Sequence, residues 1–314
     1  MVSQKTNKIG KMEKIEKIGK ISFLCGKKIT VVDTILFIII TVLNFVMIYP
    51  LVNITAVSVS SQMAYVENPM MIFPKGITTV AYQLILQSSV IKYAYLNTII
   101  ITVVGTFLSL FLYVTAAYPL SKKDFRGRSV IMKIIIFTML FSGGLIPSFL
   151  LIKSLKLYDT LTALIMPSLF SAFNLVLVKN YFETIPQSLI ESAKLDGVNE
   201  FMMLWKIIVP LSKAIISTIG LFVAVEYWNS YFSAVVYTSS VEKWTLQLLL
   251  RELIMSANLG EVTSLGDMAE ISRTIPTESV KYAALVITIL PILCIYPFVQ
   301  KYFVSGIMIG AVKG

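Results

Sequence analysis

The chain alternates between long apolar stretches, at about 31–52, 96–120, 130–152, 160–182, 211–233 and 280–303, and polar segments of unequal length. A hydrocarbon core about 30 Å thick needs roughly 20 apolar helical residues per crossing, so each stretch can cross once. Lipid offers no partners to backbone N–H and C=O groups, which makes these stretches helices rather than open strands. The pattern predicts an all-α polytopic membrane protein with six transmembrane helices. Ser142, Gly143, Gly144 and Pro147 in the third stretch predict a break or kink, tolerable where neighbouring helices or a watered cavity satisfy the freed backbone.

The composition, 56% hydrophobic and 14% charged over 314 residues, fits a soluble protein poorly. With a cytosolic N-terminus, 19 of the 27 Lys and Arg fall on the cytosolic side: in the tail, between positions 122 and 133, between 179 and 213, and at Lys301 and Lys313. That asymmetry predicts both termini inside. The net charge of +10 is then mostly anchoring next to anionic headgroups rather than a nucleic-acid footprint. The chain divides into a basic cytosolic tail (1–30), a first transmembrane helix with its external loop (31–91), a transmembrane domain (92–303) and a C-terminal tail (304–314). Lysines recur every third residue from Lys5 to Lys20, a period that winds around a 3.6-residue helix, so the tail reads as polybasic rather than amphipathic. No small-residue cleavage site follows the first stretch, which reads as a retained anchor. Cys25 and Cys294 are expected to be unpaired, and the absence of His removes His-based metal sites and the commonest general base.

Segments 53–95, 153–159 and 234–279 face outward in this topology. Inside, a basic turn joins the second and third stretches, and a longer segment, 183–210, joins the fourth and fifth. There Asp196-Gly197 suits a helix C-terminus, and Asn199 suits the cap of a second helix beginning at Glu200. Phe201, Trp205 and Ile208 recur at i, i+4 and i+7 before Pro210. A helix, a tight turn and a short second helix result. A protein-docking element and a membrane-surface helix both remain open.

Two stretches carry polar stripes. Thr98, Thr102, Gly105, Thr106, Ser109 and Tyr113 share a face of the second, consistent with close helix packing or with lining a pathway. Glu226, Asn229, Ser230 and Ser233 fall at i, i+3, i+4 and i+7 of the fifth, beside Tyr227, Trp228 and Tyr231. A carboxylate at that depth should face the interior or a cavity. Rings beside hydrogen-bonding groups suit a sugar, with its C–H faces and hydroxyls. An aromatic belt at the outer interface fits equally, because Trp228 lies about 25 Å along the helix from Leu211.

Glu191-Ser192-Ala193, Asp196-Gly197 and Ile207-Ile208-Val209-Pro210-Leu211, with IPQSLI upstream, resemble the cytosolic signature of the membrane permeases of binding-protein-dependent ABC importers, in their carbohydrate (maltose-type) branch. FSGGLIPSFLLIKSLKLYDT, FNLVLVKNYF, YWNSYF and YPFVQKYFVSGIMIGAVKG agree. The last is similar to permeases that import oligosaccharides, in particular fragments of plant or algal polysaccharides. The likeness runs from about Thr30 to the C-terminus. Ser192 stands where the family has Ala, a change expected to keep close packing, and Ala214 where many members have Pro, which suggests a straighter start to the fifth helix.

The resemblance implies the type I importer permease fold and a coupling loop, 183–210, seated in a cleft of a separate ATPase. ATPase coupling would fall to Glu191, Ala193, Asp196, Gly197, Phe201, Leu204 and Pro210: Glu191 for charge pairing, Gly197 for the turn, and Phe201, Leu204 and Trp205 for packing against neighbouring helices. Gly197→Asp is expected to cost on the order of 1 kcal/mol or more and to uncouple transport. The substrate pathway would include Glu226, Tyr227, Trp228, Asn229 and Tyr231. External loop 234–279, around 241–275, would touch the binding protein or the substrate. The implied partners are a second homologous permease, an ATP-binding cassette ATPase dimer, an extracellular solute-binding protein, an oligosaccharide and membrane lipid, in a prokaryotic cell membrane. The chain itself would bind no cofactor and catalyse nothing, ATP and Mg residing in the ATPase; Gly26-Lys27-Lys28-Ile29-Thr30 lacks the earlier Gly of a phosphate loop, having Ile21 there. Two rivals are an ion-coupled secondary sugar carrier acting alone, for which the single Glu226 is thin support, and a sensory or assembly protein without transport.

Overall fold

The structure, a computed structural model, describes residues 31–259 and 277–311. The basic tail with Cys25 and the 260–276 part of the third external loop lie outside the described residues. Among the described residues the chain is mostly helical, with no strand. α1 (Val31–Ser58) is apolar along its length. Its polar side chains bond within the helix, Thr41 Oγ1 to the Phe37 carbonyl at 2.7 Å and Asn44 Nδ2 to that of Ile40 at 2.8 Å. That is how such groups are tolerated where water is absent. Residues up to Asn53 form one compact unit and residues from Ile54 a second. Within the second, α2 (Gln62–Glu67) and α3 (Val80–Gln87) fold the first external segment into short helices.

α4 (Ser89–Ser121) is a single 33-residue helix, about 50 Å long at 1.5 Å per residue, more than a bilayer core requires. α5 (Arg128–Leu140) and α6 (Leu145–Ser154) follow, bent by 113° at the expected break, where Gly144 has φ +84°. The fourth stretch is also broken. α7 (Leu161–Ile165) passes into a 3₁₀ turn, Met166–Ser168, and α8 (Ala172–Phe182) departs at 51°. Pro167, which has no N–H to donate, sits in the turn.

α9 (Gln187–Leu195), α10 (Glu200–Met202), a π-helical segment Met203–Ile208 and α11 (Val209–Leu211) make up the segment before the fifth stretch. α12 (Lys213–Trp228) leaves that segment at 81°, so the entry is sharply turned although Ala214 replaces a Pro. The fifth stretch is not one helix to position 233. α12 stops at Trp228, and α13 (Phe232–Tyr237) is separate; between them the Ser230 carbonyl accepts from Thr245 Oγ1 at 2.9 Å. The one-face register that placed Ser233 with Glu226 therefore does not hold. A 3₁₀ turn, Val241–Lys243, leads to α14 (Leu246–Leu259), and α15 (Thr277–Ala311) covers the sixth stretch.

Two helices, α1 and α4, are long and apolar enough to cross a membrane among the described residues, and three bent pairs raise the number to five. α4 packs chiefly against α12 and α8, and α12 also lies against α15. The polar stripe on α4 turns inward, with Thr98, Ser109 and Tyr113 buried, which favours packing over pathway lining. Gly105 permits the closest approach, since a Cβ there would lie 2.6 Å from two atoms of the Tyr227 ring. Two tyrosines mend the broken fourth stretch. Tyr227 Oη donates to the Ile165 carbonyl at 3.0 Å, and Tyr113 Oη accepts from the Ser171 N–H at 3.0 Å. Each serves a backbone group released by the break.

Candidate functional site

Segment 183–210 is built around a helix stop. Beyond α9, Gly197 takes φ +77°. Its N–H bonds the Lys194 carbonyl, and the Val198 N–H bonds that of Ala193, both at 3.0 Å. These two bonds are the Schellman pair, and they occupy carbonyls the helix end would otherwise leave open. Asn199 then caps α10, its Oδ1 accepting from the Met202 N–H at 2.8 Å.

Glu200 fastens the second half of the segment to the end of α4. It accepts from Tyr118 Oη at 2.5 Å and pairs with Lys122, with Lys194 at 3.9 Å. The bonds from Lys122 and Tyr118 hold its carboxyl below the ordinary value of 4.5. On the other side of α9, Glu183 joins Arg128 of α5 and, at 2.8 Å, Lys179 of α8. A groove of about 810 Å³ runs between α9 and the α4–α5 turn, with Lys122, Arg128, Glu183, Gln187, Ile190 and Lys194 on its walls.

The seven residues assigned to this segment divide by environment. Ala193 and Leu204 are buried and carry the frame, while Glu191, Asp196, Gly197 and Pro210 are exposed. Phe201 is 74% exposed, its ring tilted against that of Trp205 with centroids 6.3 Å apart, and Trp205 stacks on Phe111 at 6.0 Å. The π-helical turn explains why Phe201 is not packed beneath with Leu204: widening the helix from 203 to 208 breaks the i, i+4, i+7 register. Ser192 is exposed, and its hydroxyl donates to the Leu189 carbonyl at 3.1 Å. Leu195 was missed by sequence reasoning. It is 90% exposed at the end of α9, and its one signal was an apolar residue beside an Asp-Gly turn. Leu195 and Phe201 thus stand as two uncovered apolar side chains on either side of a rigid turn.

At the far end of α12 the residues assigned to a pathway also separate. Tyr227 is 2% exposed and Trp228 is buried, its ring edge-on to Tyr95 at 6.0 Å. Glu226, Asn229 and Tyr231 are exposed. Asn229 Oδ1 accepts from Gln247 Nε2 at 3.4 Å, and the Arg251 guanidinium lies 5.8 Å from the centre of the Tyr231 ring. Nearby, Asp159 at φ +60° receives the N–H groups of Ser239 and Ser240 at 2.9 and 3.0 Å and the Ser240 hydroxyl at 2.5 Å. Its own N–H bonds the Tyr237 carbonyl at 2.8 Å. Burial raises the Asp159 carboxyl, but those bonds outweigh it and hold it below its ordinary value. Among the described residues no cluster of His, Cys, Asp or Glu could hold a metal ion.

A bundle of broken apolar helices with a capped, charge-fastened loop fits a membrane permease. The chain belongs to the family of binding-protein-dependent transport system inner membrane components, whose model matches residues 113–309. It is therefore a membrane component of a binding-protein-dependent transport system, and the relatives it matches include sugar transport permeases. It is 40% identical over 85% of its length, and 93% of the relative's, to the polygalacturonan/rhamnogalacturonan transport system permease protein YtcP of Bacillus subtilis (strain 168). It is 42% identical to Protein LplC of the same organism, over 85% of this chain and 90% of that one. A chain in the crystal structure of a bacterial ABC transporter involved in the import of the acidic polysaccharide alginate superposes with a TM-score of 0.80 at 36% identity, covering 88% of this chain and 99% of that one. The fold is the type I permease fold.

Proposed function

We propose that this chain is the permease subunit of an ABC importer that carries an oligosaccharide, a fragment of an acidic polysaccharide, across the prokaryotic cell membrane. It crosses six times with both termini in the cytosol, and it pairs with a second, homologous permease. An extracellular solute-binding protein delivers the sugar, and an ATP-binding cassette dimer holding ATP and Mg docks on segment 183–210. The polymers named for its relatives, polygalacturonan and alginate, support the cargo class.

The observation that carries the reading is the turn itself. Leu195 and Phe201 project uncovered from a loop whose backbone is fixed by the Gly197 stop and by Glu200. Exposed apolar side chains on a rigid element suit a protein partner. Force on that loop passes through the 81° turn at Ser212 into α12, which fits a rocking, alternating-access movement. The test is purification of the chain with its natural companions. A nucleotide-hydrolysing subunit should remain bound, release on Leu195→Asp/Phe201→Asp, and respond to loaded binding protein. Sugar uptake by the chain alone, driven by an ion gradient, would overturn the proposal in favour of a secondary carrier.

A further inference from the structure

α14 is fixed more firmly than a stretch of external loop requires. The Leu246 N–H donates to Thr98 Oγ1 of α4 at 2.9 Å. Thr245 Oγ1 accepts from the Leu248 N–H at 3.3 Å while donating to the Ser230 carbonyl. Asn97 Nδ2 reaches the carbonyls of Glu242 and Trp244 at 2.7 and 3.1 Å. Leu246, Leu248, Leu249 and Leu250 are all buried. Gln247, Arg251 and Met255, four apart, are left on the outer side, where Arg251 and Met255 are exposed. That spacing is one helix face.

The face meets the exposed corner of the fifth stretch: Gln247 at Asn229, Arg251 over Tyr231. The set comprises a planar cation, two side-chain amides and an aromatic ring, mounted on elements that cannot shift independently. We infer that Arg251, with Tyr231, Asn229 and Gln247, is a carboxylate-binding subsite that receives a uronate unit of the transported oligosaccharide. A guanidinium engages a carboxylate through two parallel N–H bonds. The amides serve sugar hydroxyls, and the ring takes the C–H face. The ring beneath Arg251 also limits the orientations its guanidinium can adopt, so less freedom is lost on binding. Glu252 approaches Arg251 at 3.8 Å from the adjacent position, an exposed pair of little strength that a carboxylate with bidentate geometry displaces. Glu226, exposed three residues before Asn229, disfavours a second carboxylate at its own level, so the charged group is held at Arg251.

This inference rests on the importer reading and names the residues that receive the cargo's charge. The test uses the complete importer trapped with its ATPase closed. It measures binding of labelled oligouronates of two to six units, prepared from polygalacturonate, and of the same chains after carboxyl reduction. Arg251→Gln should weaken the acidic chains about tenfold or more and leave the reduced chains unchanged, with Arg251→Lys intermediate. Equal weakening of both sugars, or of neither, overturns the subsite alone. A wild-type complex that binds neither sugar overturns the sugar-permease reading and the subsite with it.

Discussion

Replacing Gly197 separates the backbone of the turn from its surface. At φ +77° nothing lies within 4 Å of a Cβ built on Gly197, so a side chain meets no neighbour and the cost is conformational. For an ordinary L-residue the left-handed region costs about 1–2 kcal/mol, more for a β-branched one and less for Asn or Asp. The alternative is to unwind the stop and lose the two 3.0 Å bonds from Gly197 and Val198, worth about 1 kcal/mol each. The two routes cost about the same, so Gly197→Val should deplete the native turn by about 2 kcal/mol, roughly thirtyfold in population if the loop were free. Gly197→Asn should cost a few tenths to 1 kcal/mol. Gly197→Asp, expected from the sequence to uncouple, belongs with Asn on backbone grounds, and any excess loss reflects a charge placed against the docked ATPase. ATP-driven uptake in proteoliposomes, with ATPase retention measured on the same preparations, reads the order glycine, Asn, Asp, Val. If Val and Asn behaved alike, or if Val retained full coupled uptake, the claim that this turn's conformation presents the docking surface would fail.

Gly105→Ala should destabilise the bundle by about 1–3 kcal/mol through overpacking on Tyr227, and a thermal-unfolding cycle with Tyr227→Leu should show strong coupling between the two sites rather than additivity. The depressed carboxyl of Glu200 stabilises its charged, bonded form. Its contribution is complete above the ordinary value of 4.5 and is lost as pH falls through the lower value in the fold. Hydrogen exchange in 194–203 should accordingly be steady from pH 7 to about 5, after correction for intrinsic rates, and rise below that, and Glu200→Gln should abolish the inflection. An unchanged inflection in that variant would assign it to another group.

The loop was legible in detail because its signals are local. Asp196-Gly197 and Asn199 act within a few residues, and the structure realises both, with a left-handed glycine and a capped helix. The Ser142–Gly144 break was legible for the same reason. The end of α12 was not, since the backbone just beyond it is held from a distance, the Ser230 carbonyl accepting from Thr245 fifteen residues away. The break in the fourth stretch carried a single local signal, Pro167, while the groups that stabilise it, Tyr113 and Tyr227, come from other helices. The exposure of Phe201 turned on a local widening of the helix, which periodicity at 3.6 residues cannot register. Arg251 gave no signal in sequence, its ring and amide neighbours lying 4 to 22 positions away.

The carboxylate of Asp159 gathers three donors from Ser239 and Ser240 while its own amide holds Tyr237, and so welds the connection leading into α7 to the end of α13. Two stretches joined at one extremity cannot swing apart there. They must travel as a single strut, and any opening at that extremity has to be absorbed by parts of the molecule this knot does not include.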